Sequence, residues 1–167
     1  MRAAPALLLL AATLAPTGAR AESCDALAAR VIRVTGASLA GRAEPGAVFR
    51  AADAERMSLD CRAPRRIVLG ALDREPIPRF FALVGLAAQA LAGTEPGRAE
   101  ALALRLHQDS LLAGAPMQGR DGRLSLRCET GPRGDSLAGL LTICVVEMDR
   151  GAILHRKAHL PRSAQAG

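Results

Sequence analysis

Two short segments near the end of this 167-residue chain constrain its fold more than anything before them. Leu124-Ser125-Leu126-Arg127-Cys128 and Cys144-Val145-Val146-Glu147-Met148 both place apolar side chains at every second position. A strand has a side-chain period of two, so each segment presents one apolar face. Setting Cys128 opposite Cys144 also sets Leu126 opposite Val146 and Leu124 opposite Met148, and a slip of one residue loses every such match. The pattern predicts an antiparallel hairpin carrying a disulfide. Directly opposed Cβ atoms stand about 4.5–5.5 Å apart, within slight adjustment of a bridge. The other two cysteines, Cys24 and Cys61, are then left to pair with each other.

Disulfides need an oxidising compartment, and the N-terminus supplies a route to one. Arg2 and the amino group form a positive start, Ala6–Ala15 is a short Leu/Ala run, and Pro16-Thr17-Gly18 breaks it. Ala19-Arg20-Ala21 then offers small residues three and one before a cut, so a secretory signal peptide over residues 1–21 is expected, with Glu22 opening the mature chain. The apolar run is about half the ~20 residues that a spanning helix needs, so no transmembrane segment is expected in the mature chain. Lipidation at Cys24 is disfavoured because the charged Glu22 lies two residues before it, among the neutral positions that such a signal requires.

The mature length suits one domain over residues 22–149, with a basic tail over 150–167. Without Arg2 and Arg20 the chain holds 20 basic and 16 acidic residues, a net charge of +4. All the basic residues except Lys157 are arginine, and Asn, Trp and Tyr are absent while Ala, Gly and Pro abound. That bias reads as a high-GC bacterial genome. The mild positive charge suits attachment to anionic lipid or cell-wall polymer. Nucleic acid is excluded as a partner: stacking aromatics are missing, and Phe49, Phe80 and Phe81 all lie in apolar runs.

Along the chain, Leu27, Val31 and Val34 recur at helical spacing within 24–40, with Ser23 available as a cap. Gly41–Gly46 reads as a loop. Ala47–Ala51, Met57–Cys61 and Arg66–Gly70 read as three strands, the last after a break at Ala63-Pro64. Residues 80–93 are apolar almost all round and read as a buried central helix. A second helix follows Gly93, with Thr94 as its cap and Pro96 in its first turn. Gly114–Gly122 reads as a loop before the final strand pair. The expected fold is therefore α+β: a helix, three strands, a broken helix pair and two strands, an antiparallel sheet packed on helices and held by two disulfides. This order resembles that of the small chaperones of type III secretion systems. The resemblance lies in element order alone, covers no sequence motif and carries no functional residue.

The stretch Arg133-Gly134-Asp135-Ser136-Leu137 overlays an integrin-type Arg-Gly-Asp on the Gly-Asp-Ser-Leu of an esterase family. A serine needs a base within hydrogen-bond reach, and no Asp-x-x-His follows Ser136. Integrins belong to animals, whereas the leader and composition read as bacterial. The neighbouring Gly131-Pro132 and Gly134-Asp135-Ser136 are turn formers, so the stretch reads as the loop of the hairpin. His107, Asp109 and Ser110 have the letters of a triad, but neighbours on one helix cannot form the relay, and they read as a solvated helix end. His155 and His159 have a zinc-compatible spacing and lack a third ligand in range. No CxxC or CxH spacing exists, so neither a metal knuckle nor a redox pair is expected, and no cofactor is implied.

What remains is a small set of surface candidates. Arg62, Arg65 and Arg66 are expected to rim the sheet, where they could take an anionic ligand. Phe80 and Phe81 are expected as core anchors, or else as part of an apolar groove for a partner. The composition and leader together suggest a non-catalytic binding module, periplasmic or secreted, that engages an envelope protein or anionic ligand. An exported chaperone-like protein using an apolar face of the 80–93 helix, and an enzyme with scattered residues, are the alternatives.

Overall fold

The computed structural model describes residues 22–132 and 139–149; the leader, the 133–138 segment with its overlapping motifs, and the tail with His155 and His159 lie outside the described residues. Among them are three helices and seven strands. Helix α1 spans Cys24–Thr35, its start held by the Ser23 hydroxyl, which accepts from the Ala26 amide at 3.2 Å. Gly36 stops it, with φ of 71° and its amide donating to the Ile32 carbonyl, a left-handed end that a side chain resists. The helix therefore ends five residues before the expected limit at Ala40. Released there, the chain forms β1, Ser38–Ala43, where a helix end and loop were expected.

Strands β2 (Gly46–Ala51), β3 (Ala54–Asp60) and β4 (Arg66–Ala71) follow as an antiparallel meander. Helix α2 covers Pro78–Ala92 and α3 covers Pro96–Ala113, each beginning with proline and ending at a left-handed glycine. The cap of α3 is Glu95, one residue later than expected: its carboxylate accepts from the amides of Gly97 at 2.9 Å and Arg98 at 2.8 Å. Those two donors hold the Glu95 carboxyl below its ordinary pKa. Strands β5 (Met117–Asp121), β6 (Leu124–Thr130) and β7 (Thr142–Met148) complete the fold, β5 taking residues expected to form a loop.

All pairings are antiparallel, in the order β1-β2-β3-β4-β7-β6-β5. The β6–β7 register sets Cys128 opposite Cys144, Leu126 opposite Val146 and Leu124 opposite Met148, as the alternation predicts. Disulfides join Cys128 to Cys144 and Cys24 to Cys61. The second bond ties the first turn of α1 to the end of β3. The two strands absent from the sequence reading, β1 and β5, are the sheet edges. Each pairs on one side only, and β1 has no fully buried residue, so its side chains show no apolar alternation.

The helices cover one face of the sheet. Ala47, Phe49, Met57, Leu59, Ile67, Leu69, Leu126 and Val146 point into that layer, and α2 fills its middle. Phe80, Phe81, Val84, Ala87, Ala88 and Leu91 of α2 are buried, with the two rings edge-on at 5.3 Å. Gly85 and Gly119 allow close approach. A Cβ on Gly85 would meet the Pro96 carbonyl oxygen at 2.5 Å, and one on Gly119 would meet Leu102 at 2.9 Å. No helix among the described residues is long and apolar enough to cross a membrane.

Candidate binding surface

Because strand side chains alternate, every strand that feeds the core also feeds the opposite face. No helix among the described residues lies on that second face. Its side chains fall into three rows across the strands, about 7 Å apart. The middle row runs Val48, Ser58, Val68, Val145, Arg127 from β2 to β6. On one side of it lie Arg56, Gly70, Ile143 and Glu129; on the other lie Asp60, Arg66, Glu147 and Ser125. Leu140 covers Gly70 so closely that a Cβ there would meet it at 2.6 Å. Val48 is 38% exposed, and Val68 and Val145 are half-buried with no layer of described residues above them.

Charge divides this face. On its β2–β4 half a shallow cleft of about 330 Å³ has Val48, Ser58 and Val68 on its floor and Arg56, Arg62 and Arg66 at its border. Asp60 organises one edge: its carboxylate holds the Arg66 guanidinium at 3.2 Å and accepts from the Arg62 amide at 2.9 Å. The Arg56 side chain makes no ion pair with a described residue. On the β7–β6 half the carboxylates of Glu147 and Glu129 flank Arg127, which reaches Glu129 at 2.8 Å.

The arginine trio expected to rim the sheet is therefore split. Arg62 and Arg66 border the cleft. Arg65 turns to the helical side, where it donates to the Glu22 carbonyl and stands 3.8 Å from the Glu22 carboxylate, itself 2.8 Å from Arg30. Arg30 and Arg123 also donate to the carbonyls of Ala90 and Ala92 at the end of α2. These contacts line a second pocket of about 560 Å³, in which Glu22 and Arg65 fasten the start of α1 to the β3–β4 connection. Phe80 and Phe81, 1% and 2% exposed, are core residues and offer no surface to a partner.

His107 and Ser110 are not a solvated helix end; they are buried and form part of a polar cluster. The His107 Nε2 is 2.9 Å from the Arg74 carbonyl, and its ring lies against Phe81 at 5.0 Å. Ser110 donates to the His107 carbonyl, and its oxygen is 2.6 Å from the Thr130 hydroxyl. Thr142 donates to the carbonyls of Asp73 and Arg74. His107 and Thr142 satisfy the Asp73 and Arg74 carbonyls of the 72–77 connection, a structural task that leaves none of the three hydroxyls paired with the imidazole. Among the described residues no group of three metal-ligating side chains converges.

Arg56, Val68, Val145 and Glu147 were not singled out from the sequence. Their signal is positional: Val68 and Val145 each sit between two core residues of their strand, and Arg56 and Glu147 each adjoin one. Their grouping depends on β4 pairing with β7, which joins segments about 75 residues apart and has no local signature. Compared with protein-family models, curated proteins and solved structures, the chain matches none. The order resembling type III secretion chaperones had three strands before the helix pair and two after; the observed order has four and three.

Proposed function

We propose that this is an exported protein of the bacterial cell envelope that works by binding, through the uncovered face of its sheet. The observation that carries this reading is the valine-rich middle row, Val48 to Val145, which no helix among the described residues covers and which Arg56 and Arg66 bracket. Sheets that expose one face usually alternate polar residues there, so three valines in one row of β2, β4 and β7, interrupted only by Ser58 of β3, favour an interaction site. The two disulfides fit an oxidising compartment and support export. A chaperone-like role through α2 loses its basis, because that helix is buried on nearly every side. A small anionic ligand is the second reading, favoured by the arginine-bordered cleft.

Photo-crosslinking in cells tests the binding reading. A benzophenone side chain at Val68 or Val145 should give a discrete adduct in the periplasmic fraction. The same group at Leu112, which is exposed on α3, should give none. Equal labelling at all three positions, or no adduct on the sheet face, contradicts it.

A further inference from the structure

The uncovered face is complementary to itself, and the geometry points to a second copy of this chain as its partner. The inference rests on the reading of that face as a binding surface. Consider a half-turn about an axis along the strands between β4 and β7. The operation keeps each row in place and exchanges the two halves of the sheet. Strand β4 then lies over β7 of the second copy, and β3 over its β6, as the order β3-β4-β7-β6 requires.

Each row meets a matching row. Val68 meets Val145 of the second copy, since the two occupy the same row on β4 and β7. Arg66 meets Glu147 in the same way. One strand further out, Arg56 meets Glu129, which Arg127 of its own chain also holds. Gly70 and Ile143 are closed within each copy, because Leu140 roofs Gly70 and Ile143 and Leu140 are themselves buried. Cations on the β3–β4 half thus face carboxylates on the β7–β6 half, twice over by symmetry. Apolar residues meet at the centre, the arrangement of an isologous interface. Glu147 makes no ion pair with a described residue in the single chain, so the second copy supplies its counter-charge.

Size and charge agree. Seven strands of five to seven residues make a face of roughly 30 by 20 Å, near 600 Å² per copy. That is somewhat below the ~800 Å² per partner of a standard stable complex, which indicates a reversible dimer. Residues 22–149 hold sixteen basic and sixteen acidic residues, so no net charge on the body opposes association. Face-to-face sheets stack about 10 Å apart with strands within about 30°, so the pairs beside the axis, Val68–Val145 and Arg66–Glu147, are the least displaced by twist.

Sedimentation equilibrium on the mature chain tests the proposal, with thermal melts to show that each variant is folded. The parent should dimerise in the micromolar range. Arg66→Glu and Glu147→Arg should each weaken self-association by about tenfold or more, because each sets like charges face to face. Mixing these two variants should restore a one-to-one dimer, since each interface contact again pairs a carboxylate with a guanidinium. A parent that stays monomeric at high micromolar concentration, variants that dimerise like the parent, or a mixture that stays monomeric would each overturn the self-pairing. If the parent is monomeric while Val68 crosslinks to a different protein in cells, self-pairing falls and the binding surface stands. If neither occurs, both fall.

Discussion

Leu69 and Val68 are neighbours on β4, yet they serve opposite faces of the sheet. Leu69 points into a layer built from α2, α3 and the sheet and is fully buried. Val68 points the other way, half-buried, beside its cross-strand neighbours Ser58 and Val145. The covered face is apolar apart from the His107–Ser110–Thr130–Thr142 cluster, is closed by helices, and carries the Cys128–Cys144 bond. The bare face mixes a valine row with arginines and carboxylates. The comparison teaches that stability and recognition are carried by alternating residues of the same strands, so substitutions one position apart should have effects of different kinds.

The largest effect expected is on the covered side. Leu69→Ala should cost about 2–5 kcal/mol in denaturant unfolding, as deletions that leave a cavity in a closed core do. The partner substitution Val68→Ala should cost under about 1 kcal/mol measured on the monomer. Equal costs at the two positions would break the distinction between the faces.

The disulfides should come next. Replacing Cys128 and Cys144 by alanine frees a span of 16 residues, and replacing Cys24 and Cys61 frees one of 37. Loop-closure entropy assigns about 3 kcal/mol to the shorter span and about 4 to the longer. Unfolding midpoints of the two double variants decide whether the bond joining helix to sheet outweighs the one inside the hairpin.

A smaller, pH-dependent effect belongs to the cap of α3. Amide donors from Gly97 and Arg98 depress the folded-state pKa of Glu95. Its stabilisation is therefore present above the unfolded-state pKa and is lost as the pH falls through the lower folded-state value. Glu95→Ala should lower the melting temperature at neutral pH, and the gap to the parent should close on acidification. A gap that persists in strong acid would assign the effect to something other than the carboxylate.

Much of the covered face was legible in the sequence, and little of the bare one. The β6–β7 register followed from apolar alternation plus two cysteines, because only one alignment matched both. The buried central helix followed from fourteen nearly uninterrupted apolar residues at 80–93. Ser38–Ala43 and Met117–Asp121 escaped because an edge strand with exposed side chains has no buried stripe to betray its period. His107 and Ser110 read as solvated because they are polar; their partners, the Arg74 carbonyl and Thr130, lie on other elements. The rows of the bare face share that difficulty, since Arg66 and Glu147 become neighbours only through the β4–β7 pairing.

The contrast between the faces can be read directly by methyl NMR with a soluble paramagnetic probe, on samples from millimolar to low micromolar protein. The methyls of Leu69 and Val146 should stay protected at every concentration, because the helices cover them. Those of Val68 and Val145 should be protected in the concentrated samples and become bleached on dilution, as the second copy leaves. Bleaching of Val68 and Val145 that is the same at all concentrations, or bleaching of Leu69, would contradict the account.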